Sequence, residues 1–275
     1  MRAFTIFLTA GAVALAAGCQ TVETTKGGTV GVDRQQRMAV SSEEVNAGAQ
    51  KAYAQMMAEA QKKNALDRDA AQVARVKAIV SRLVPQTAAF RADAGKWPWE
   101  VHVVSVDDVN AWCMPAGKMA VYSGLINKLQ PTDDELAAVM GHEIAHALRE
   151  HSREQMSQQV ITQTGIGIAG ALFGVGDLGQ GVANAVADVT LSKPKSRGME
   201  TEADRIGVEL AARAGYDPHA AISLWQKMEK LGGSQPPQWL STHPSNESRV
   251  ADLKTYSERV MPLYQAAKGS AAVGK

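Results

Sequence analysis

His142, Glu143 and His146 are the residues whose types and spacing could do chemistry. On an α-helix, side chains four positions apart lie about 40° apart on neighbouring turns of one face. Two imidazoles placed that way can bind one metal ion without bending the backbone. Glu143, beside the first histidine, can reach a water on the same ion and take its proton, which is the chemistry of metal-assisted hydrolysis. Such a site also needs a third protein ligand and partners that orient the ligands.

Two places could supply the third ligand. His151 lies about 140° round a continuous helix from His146, off the metal face, and is expected to be solvated. Glu200 and Asp204 stand one turn apart in a helical pattern that begins near Arg197 and is closed by Gly215. Glu200 can ligate while Asp204 accepts the free ring N–H of a metal-bound histidine. The alternative is a charged helix surface, with Glu202 and Arg205 as ordinary exposed residues.

The elements that must position these groups are legible. Thr132 with Glu135 makes a capping box, Asp133 and Asp134 place acid at the positive end of the dipole, and Leu136, Val139, Met140, Ile144 and Leu148 recur at helical spacing. Earlier helical patterns run from Glu43 to about Leu66 and from Asp67 to Leu83, where Pro85 stops the second. Trp99–Val106 alternates and is β-branched, so it reads as a strand, with His102 exposed on it. Two short strands around Pro115-Ala116-Gly117-Lys118 form a hairpin, and Pro115 sends its strand to a sheet edge. The edge strand Ala111-Trp112-Cys113-Met114 could pair with an extended peptide, unless a loop covers it. Asp217-Pro218 starts a further helix, His219 is expected to be exposed, and a last helix runs to about Ala267.

Asn110–Leu125, Glu135–His151, Glu200–Asp204 and Thr242-His243-Pro244 with Arg249 together resemble the gluzincin zinc metallopeptidases related to the CAAX prenyl endopeptidase, HtpX and BepA. Among these the chain is most similar to the small LoiP-like bacterial lipoprotein members. The resemblance implies one zinc ion per chain at His142, His146 and Glu200, Glu143 as catalytic base and Asp204 behind the ligands. It also implies that the His243 region approaches the metal. His243 either donates to the developing oxyanion or covers the zinc when the enzyme is idle, and Arg249 neutralises nearby carboxylates or holds that loop.

Residues 1–18 read as a signal peptide, and Leu15-Ala16-Ala17-Gly18-Cys19 resembles a lipobox that would lipidate Cys19. The alternative is an ordinary secretory signal with an incidental cysteine. Gln20 following the cysteine favours the outer membrane by resemblance. Residues 19–42, rich in Thr, Gly and charge, read as a lipidated tether, 43–268 as the metallopeptidase domain and 269–275 as a flexible tail. With Cys19 lipidated, Cys113 has no disulfide partner and reads as a small buried residue. A net charge of +1 without a basic cluster gives no support for nucleic-acid binding. Residues 160–189, apolar and glycine-rich, read as a packed helical hairpin, a membrane contact or a cover over the active site, the hairpin being favoured.

The expected fold is α+β: a mainly helical zincin-like body with a small antiparallel or mixed sheet beside the metal helix. The expected function is a zinc metalloendopeptidase on the periplasmic face of the outer membrane, acting on misfolded or envelope polypeptides in quality control. The rival is a chaperone-like factor with a latent zinc site, working with the outer-membrane assembly machinery.

Overall fold

In the computed structural model of the chain, residues 20–163, 178–231, 237–244 and 247–273 are described. Cys19, with the signal and lipidation motif, and residues 164–177 of the glycine-rich segment lie outside them.

The metal helix, α4 (Asp133–Leu148), starts where its capping box requires. The Thr132 hydroxyl accepts from the Glu135 N–H and the Glu135 carboxylate accepts from the Thr132 N–H. Glu135 also takes hydrogen bonds from Lys227 and Ser223, which ties the start of α4 to α8 (Ala220–Leu231). The carboxylate helix, α7 (Arg197–Arg213), is capped by the Ser196 hydroxyl and ends at Gly215 in the left-handed region. At their crossing the two helices touch backbone to backbone. A Cβ on Gly207 would lie 2.8 Å from the His142 nitrogen, and one on Gly141 would lie 2.8 Å from the Gly207 carbonyl oxygen.

Three strands back α4: β3 (Glu100–Val104), β4 (Ala111–Met114) and β5 (Lys118–Tyr122), in the order β3-β5-β4. β3 is parallel to β5 and β4 antiparallel to it, so the sheet is mixed, as the alternating pattern and the Pro-Ala-Gly-Lys turn suggest. Gly117, at φ +77°, and Ala116, at φ +60°, make that turn left-handed. β4 is an edge strand, yet all four of its residues are buried. Ala111 and Cys113 join the core around α4, while Trp112 and Met114 join a second cluster. That second cluster includes α1 (Ser42–Lys62) and α6 (Leu178–Leu191), which pack on each other where Gly48 meets Val182. α2 (Ala70–Leu83) is capped by Asp69 and closes the far side of the main core. α3 (Ser123–Leu129) leads from β5 into α4. α6 is the helical part of residues 160–189 that is described beyond α5 (His151–Gln163). The last helix, α10 (Glu247–Val273), extends through residues expected to be a tail.

Residues 20–42 correct the expectation of a tether. β1 (Gln20–Val22) and β2 (Gln36–Met38) pair antiparallel, and Val30, Val32, Met38 and Val40 are buried. The segment is then pinned by buried charge. The Val30 N–H donates to Glu209 at 2.9 Å, Gln36 donates to the Arg149 carbonyl at 2.7 Å, and Arg34 bridges Glu154 and Glu202. Sparse apolar residues give no periodic signal here because each one plugs a separate gap in the body.

Gly207→Ala is expected to destabilise the protein by about 1–3 kcal/mol, the cost of overpacking a tight contact, and to lower zinc content. Thermal melts and metal analysis check both. Burying Val30, Val32, Met38 and Val40 contributes roughly 1.5–3 kcal/mol apiece, which in sum rivals the stability of a whole domain. A variant lacking residues 20–40 is therefore expected to lose its cooperative thermal transition, whereas removal of a tether would leave it unchanged.

Candidate metal centre

The contact of α4 and α7 turns His142 and His146 toward Glu200. The two histidine Nε2 atoms lie 3.0 Å apart. Glu200 Oε2 is 3.5 Å from one and Glu200 Oε1 is 3.5 Å from the other. His243 follows the short helix α9 (Gln238–Thr242) and enters the same cluster. Its Nδ1 lies 3.1 Å from Glu200 Oε1 and 3.3 Å from His142 Nε2. One donor atom from each of the four residues falls within 4.8 Å of the others.

These spacings fit zinc. Two donors about 2.0–2.1 Å from one ion at a tetrahedral angle stand about 3.3 Å apart. The donor set, imidazole and carboxylate, is one zinc prefers. Glu200 is almost fully buried, and its Oε2 lies 2.8 Å from the Arg249 guanidinium.

Behind the cluster, Asp204 Oδ1 lies 3.0 Å from His142 Nδ1, the position expected for it. Arg249 clamps Asp204 through Nε and Nη2, both at 2.8 Å, and donates through Nη1 to the Pro244 carbonyl. Arg249 thus holds the His243-Pro244 segment and neutralises the carboxylates together. Burial alone would raise the pKa of Asp204, but Arg249 and His142 outweigh it and the carboxyl stays below its usual range. Burial is likewise outweighed at Glu200, where His243 and His146 hold the carboxyl far below the usual range. Burial lowers the pKa of His146 well below that of an ordinary imidazole. For His142 burial is outweighed by Asp204 and Glu200, and its pKa is raised when no metal competes.

Glu143 occupies the base position. Its Oε1 accepts from the Trp239 indole N–H at 2.9 Å and lies 3.4 Å from His243 Nε2. The Trp239 ring is 4.8 Å from that of His243 and packs on Trp225, which in turn lies under the Arg249 guanidinium. Nothing in the local pattern around Trp239 announces this contact, apart from its place one turn before His243. Lys195 is a second unanticipated neighbour. It is buried, donates through Nζ to the Val189 carbonyl at 2.6 Å and is pulled down by that burial to about 8.

His151 corrects the expectation of a solvated residue. α4 stops at Leu148, Glu150 takes a left-handed conformation at φ +49°, and His151 opens α5 on a new axis. The 140° separation holds only along one continuous helix, and the helix breaks between His146 and His151. The turn instead folds His151 back, fully buried, with its Nδ1 2.7 Å from His146 Nδ1. Glu202 is buried as well, against His151 and Arg149. His102 and His219 are partly buried and paired with carboxylates rather than free on the surface.

The centre is closed. None of His142, Glu143, His146, Glu200 and His243 is more than 5% exposed. The cavity that touches His142 measures about 10 Å³, too little for one water. Wider clefts elsewhere carry none of the metal residues, so donor chemistry rather than cavity size locates the site. Ala111–Met114 run beside α4 as an edge strand but are covered in this state.

The chain is similar in sequence to known proteins. The mitochondrial metalloendopeptidase OMA1 of Arabidopsis thaliana is 38% identical over 178 residues, which cover 64% of this chain and 36% of that protein. OMA1 of Bos taurus is 35% identical over 71% of this chain and 38% of its own length. The beta-barrel assembly-enhancing protease of Escherichia coli is 29% identical over 62% of this chain and 37% of its own length. The chain thus spans less than two fifths of each of these relatives. Residues 70–257, which match the family model, include His142, Glu143, His146, Glu200, Asp204, His243 and Arg249. By the extent of that match, the chain belongs to peptidase family M48.

Proposed function

We propose that this chain is a zinc-dependent endopeptidase that cleaves polypeptides in the bacterial envelope. One observation carries the reading: His142, His146 and Glu200 converge at zinc spacing with a carboxylate, Glu143, beside them. Zinc bound there would supply a Lewis acid and an acidified water. Glu143 takes a proton as general base and returns it to the leaving amine. The Trp239 indole holds Oε1 and so fixes the rotation of the carboxylate, leaving Oε2 as the oxygen that takes the proton. Asp204 and Arg249 keep the His142 ring in register and balance the buried negative charge.

His243 adds a fourth donor to the cluster and shares in its burial. A hydrolytic zinc site keeps a position open, so on this reading His243 would take that position in an idle enzyme and withdraw for catalysis. An extended substrate would add to the edge strand Ala111–Met114 by backbone pairing once that strand is uncovered. The envelope location rests on the signal and lipobox pattern ending at Cys19, together with the relative named for beta-barrel assembly. Misfolded or assembling envelope polypeptides are the substrates this reading favours. The closed centre also favours a second reading, a chaperone-like assembly factor whose zinc site stays latent.

Zinc content and cleavage of casein by the full chain separate these readings. Glu143→Gln is expected to retain zinc and to cut at least ~100-fold more slowly, the typical contribution of a general base. Unreduced cleavage by that variant would remove Glu143 from the mechanism. His243→Ala is expected to keep zinc on three ligands and cut faster than the wild type. Zinc in both proteins with no cleavage by either would favour the assembly factor.

A further inference from the structure

Each metal-facing histidine must turn its other ring nitrogen toward the protein, and the two are treated differently. His142 gives Nδ1 to a carboxylate, Asp204. His146 gives Nδ1 to a second imidazole: His151 Nδ1 stands 2.7 Å away, and the far nitrogen of that ring, Nε2, stands 3.1 Å from Glu202 Oε2. We infer that His151 and Glu202 are a positioning pair that fixes the ring and tautomer of His146 and thereby sets how tightly the centre holds its metal. The inference rests on the reading that His142, His146 and Glu200 bind zinc.

Only one placement of hydrogens satisfies the chain of contacts. His146 faces the cluster through Nε2, 3.0 Å from His142 Nε2 and 3.5 Å from Glu200 Oε1. A ligating Nε2 carries no hydrogen, so the ring hydrogen of His146 is on Nδ1 and must be donated. The atom 2.7 Å away therefore accepts, which puts the hydrogen of His151 on Nε2, where the Glu202 carboxylate takes it. Without His151 the Nδ1–H of a buried His146 would lose its partner, and a buried donor left unpaired is costly. Glu202 does not need His151 for its own satisfaction, since Arg149 donates to it at 2.8 Å and Arg34 also holds it. The imidazole between them is explained by what it does for His146.

The turn at Glu150 makes the pair possible. A left-handed conformation is unfavourable for a residue other than glycine, and this one is what carries His151 back beneath the end of α4. Outer groups steady the arrangement. Arg149 reaches Glu202 from the same turn, and Arg34 reaches it from the N-terminal segment, itself bound to Glu154.

The test measures zinc dissociation constants by competition with a chromogenic chelator, using the full chain. The variants are His151→Leu, His151→Phe and His151→Asn. The first two fill the space without an acceptor, whereas the Asn side-chain oxygen can still accept from His146 Nδ1. Loss of an outer partner of a zinc histidine typically weakens binding about 10–100-fold. That increase is expected for Leu and Phe, with metal-free melting temperatures close to wild type, while Asn stays near the wild-type constant. With cobalt(II) in place of zinc, the visible d–d bands are expected to change for Leu and Phe and not for Asn. Should His151→Leu melt early, His151→Phe, nearer in shape to imidazole, carries the comparison. Wild-type affinity in both apolar variants would overturn the inference. So would an equal loss in all three with an unchanged cobalt spectrum, which would mean that packing alone is at stake. A wild-type chain that takes up neither zinc nor cobalt would overturn the metal reading itself, and is told apart by that.

Discussion

Everything at this centre depends on two helices that touch without side chains between them. Gly141 and Gly207 let α4 and α7 approach until a single methyl group at either position would collide with backbone. Imidazole and carboxylate side chains are short, so their reach across a helix pair is limited. An ordinary interaxial distance of 8–10 Å, set by intervening side chains, would leave them apart. The glycines cost helix propensity, about 1 kcal/mol each. The capping box of α4, the Ser196 cap of α7 and the apolar faces packed beneath them offset that cost.

Around this contact, charge is buried in layers, each satisfied by the next. Ligand carboxylate and histidines meet Asp204 and His151. Those meet Arg249 and Glu202, and Glu202 meets Arg149 and Arg34. A buried charge left alone is costly, and a partly completed network is worse than an apolar core. The N-terminal segment belongs to this outermost layer, which explains why it folds despite an unpromising composition. Its apolar residues are few, but Arg34 and Gln36 answer the buried Glu154 on α5, and the Val30 N–H donates to Glu209 on α7.

Much of this was legible in the residues. The capping box, the period of α4, the i and i+4 histidines and the carboxylates of α7 are local signals, and each sits where its spacing places it. The β4–β5 hairpin follows from one proline turn and β3 from its alternation, while the parallel pairing of β3 with β5 depends on the intervening chain. What escaped depends on contacts distant in sequence or on a break in a helix. His151 was misplaced because its angle was computed along a helix that ends three residues earlier. Trp239 reaches Glu143 across ninety-six positions, a pairing no local pattern encodes. Residues 20–42 give no clear period because their two strands are three residues each, and distant hydrogen bonds hold the segment in place.

The short helix α9 has a consequence of its own. Trp239, which grips the base, and His243, which fills out the donor cluster, are four residues apart on the same short stretch. That stretch is moored by the Trp239 N–H on the Val109 carbonyl and by Arg249 on the Pro244 carbonyl. The remaining donors stand on α4 and α7, which touch backbone to backbone at Gly141 and Gly207. The fourth donor and the group that orients the base therefore share one short stretch of backbone, so that a shift of α9 would carry both.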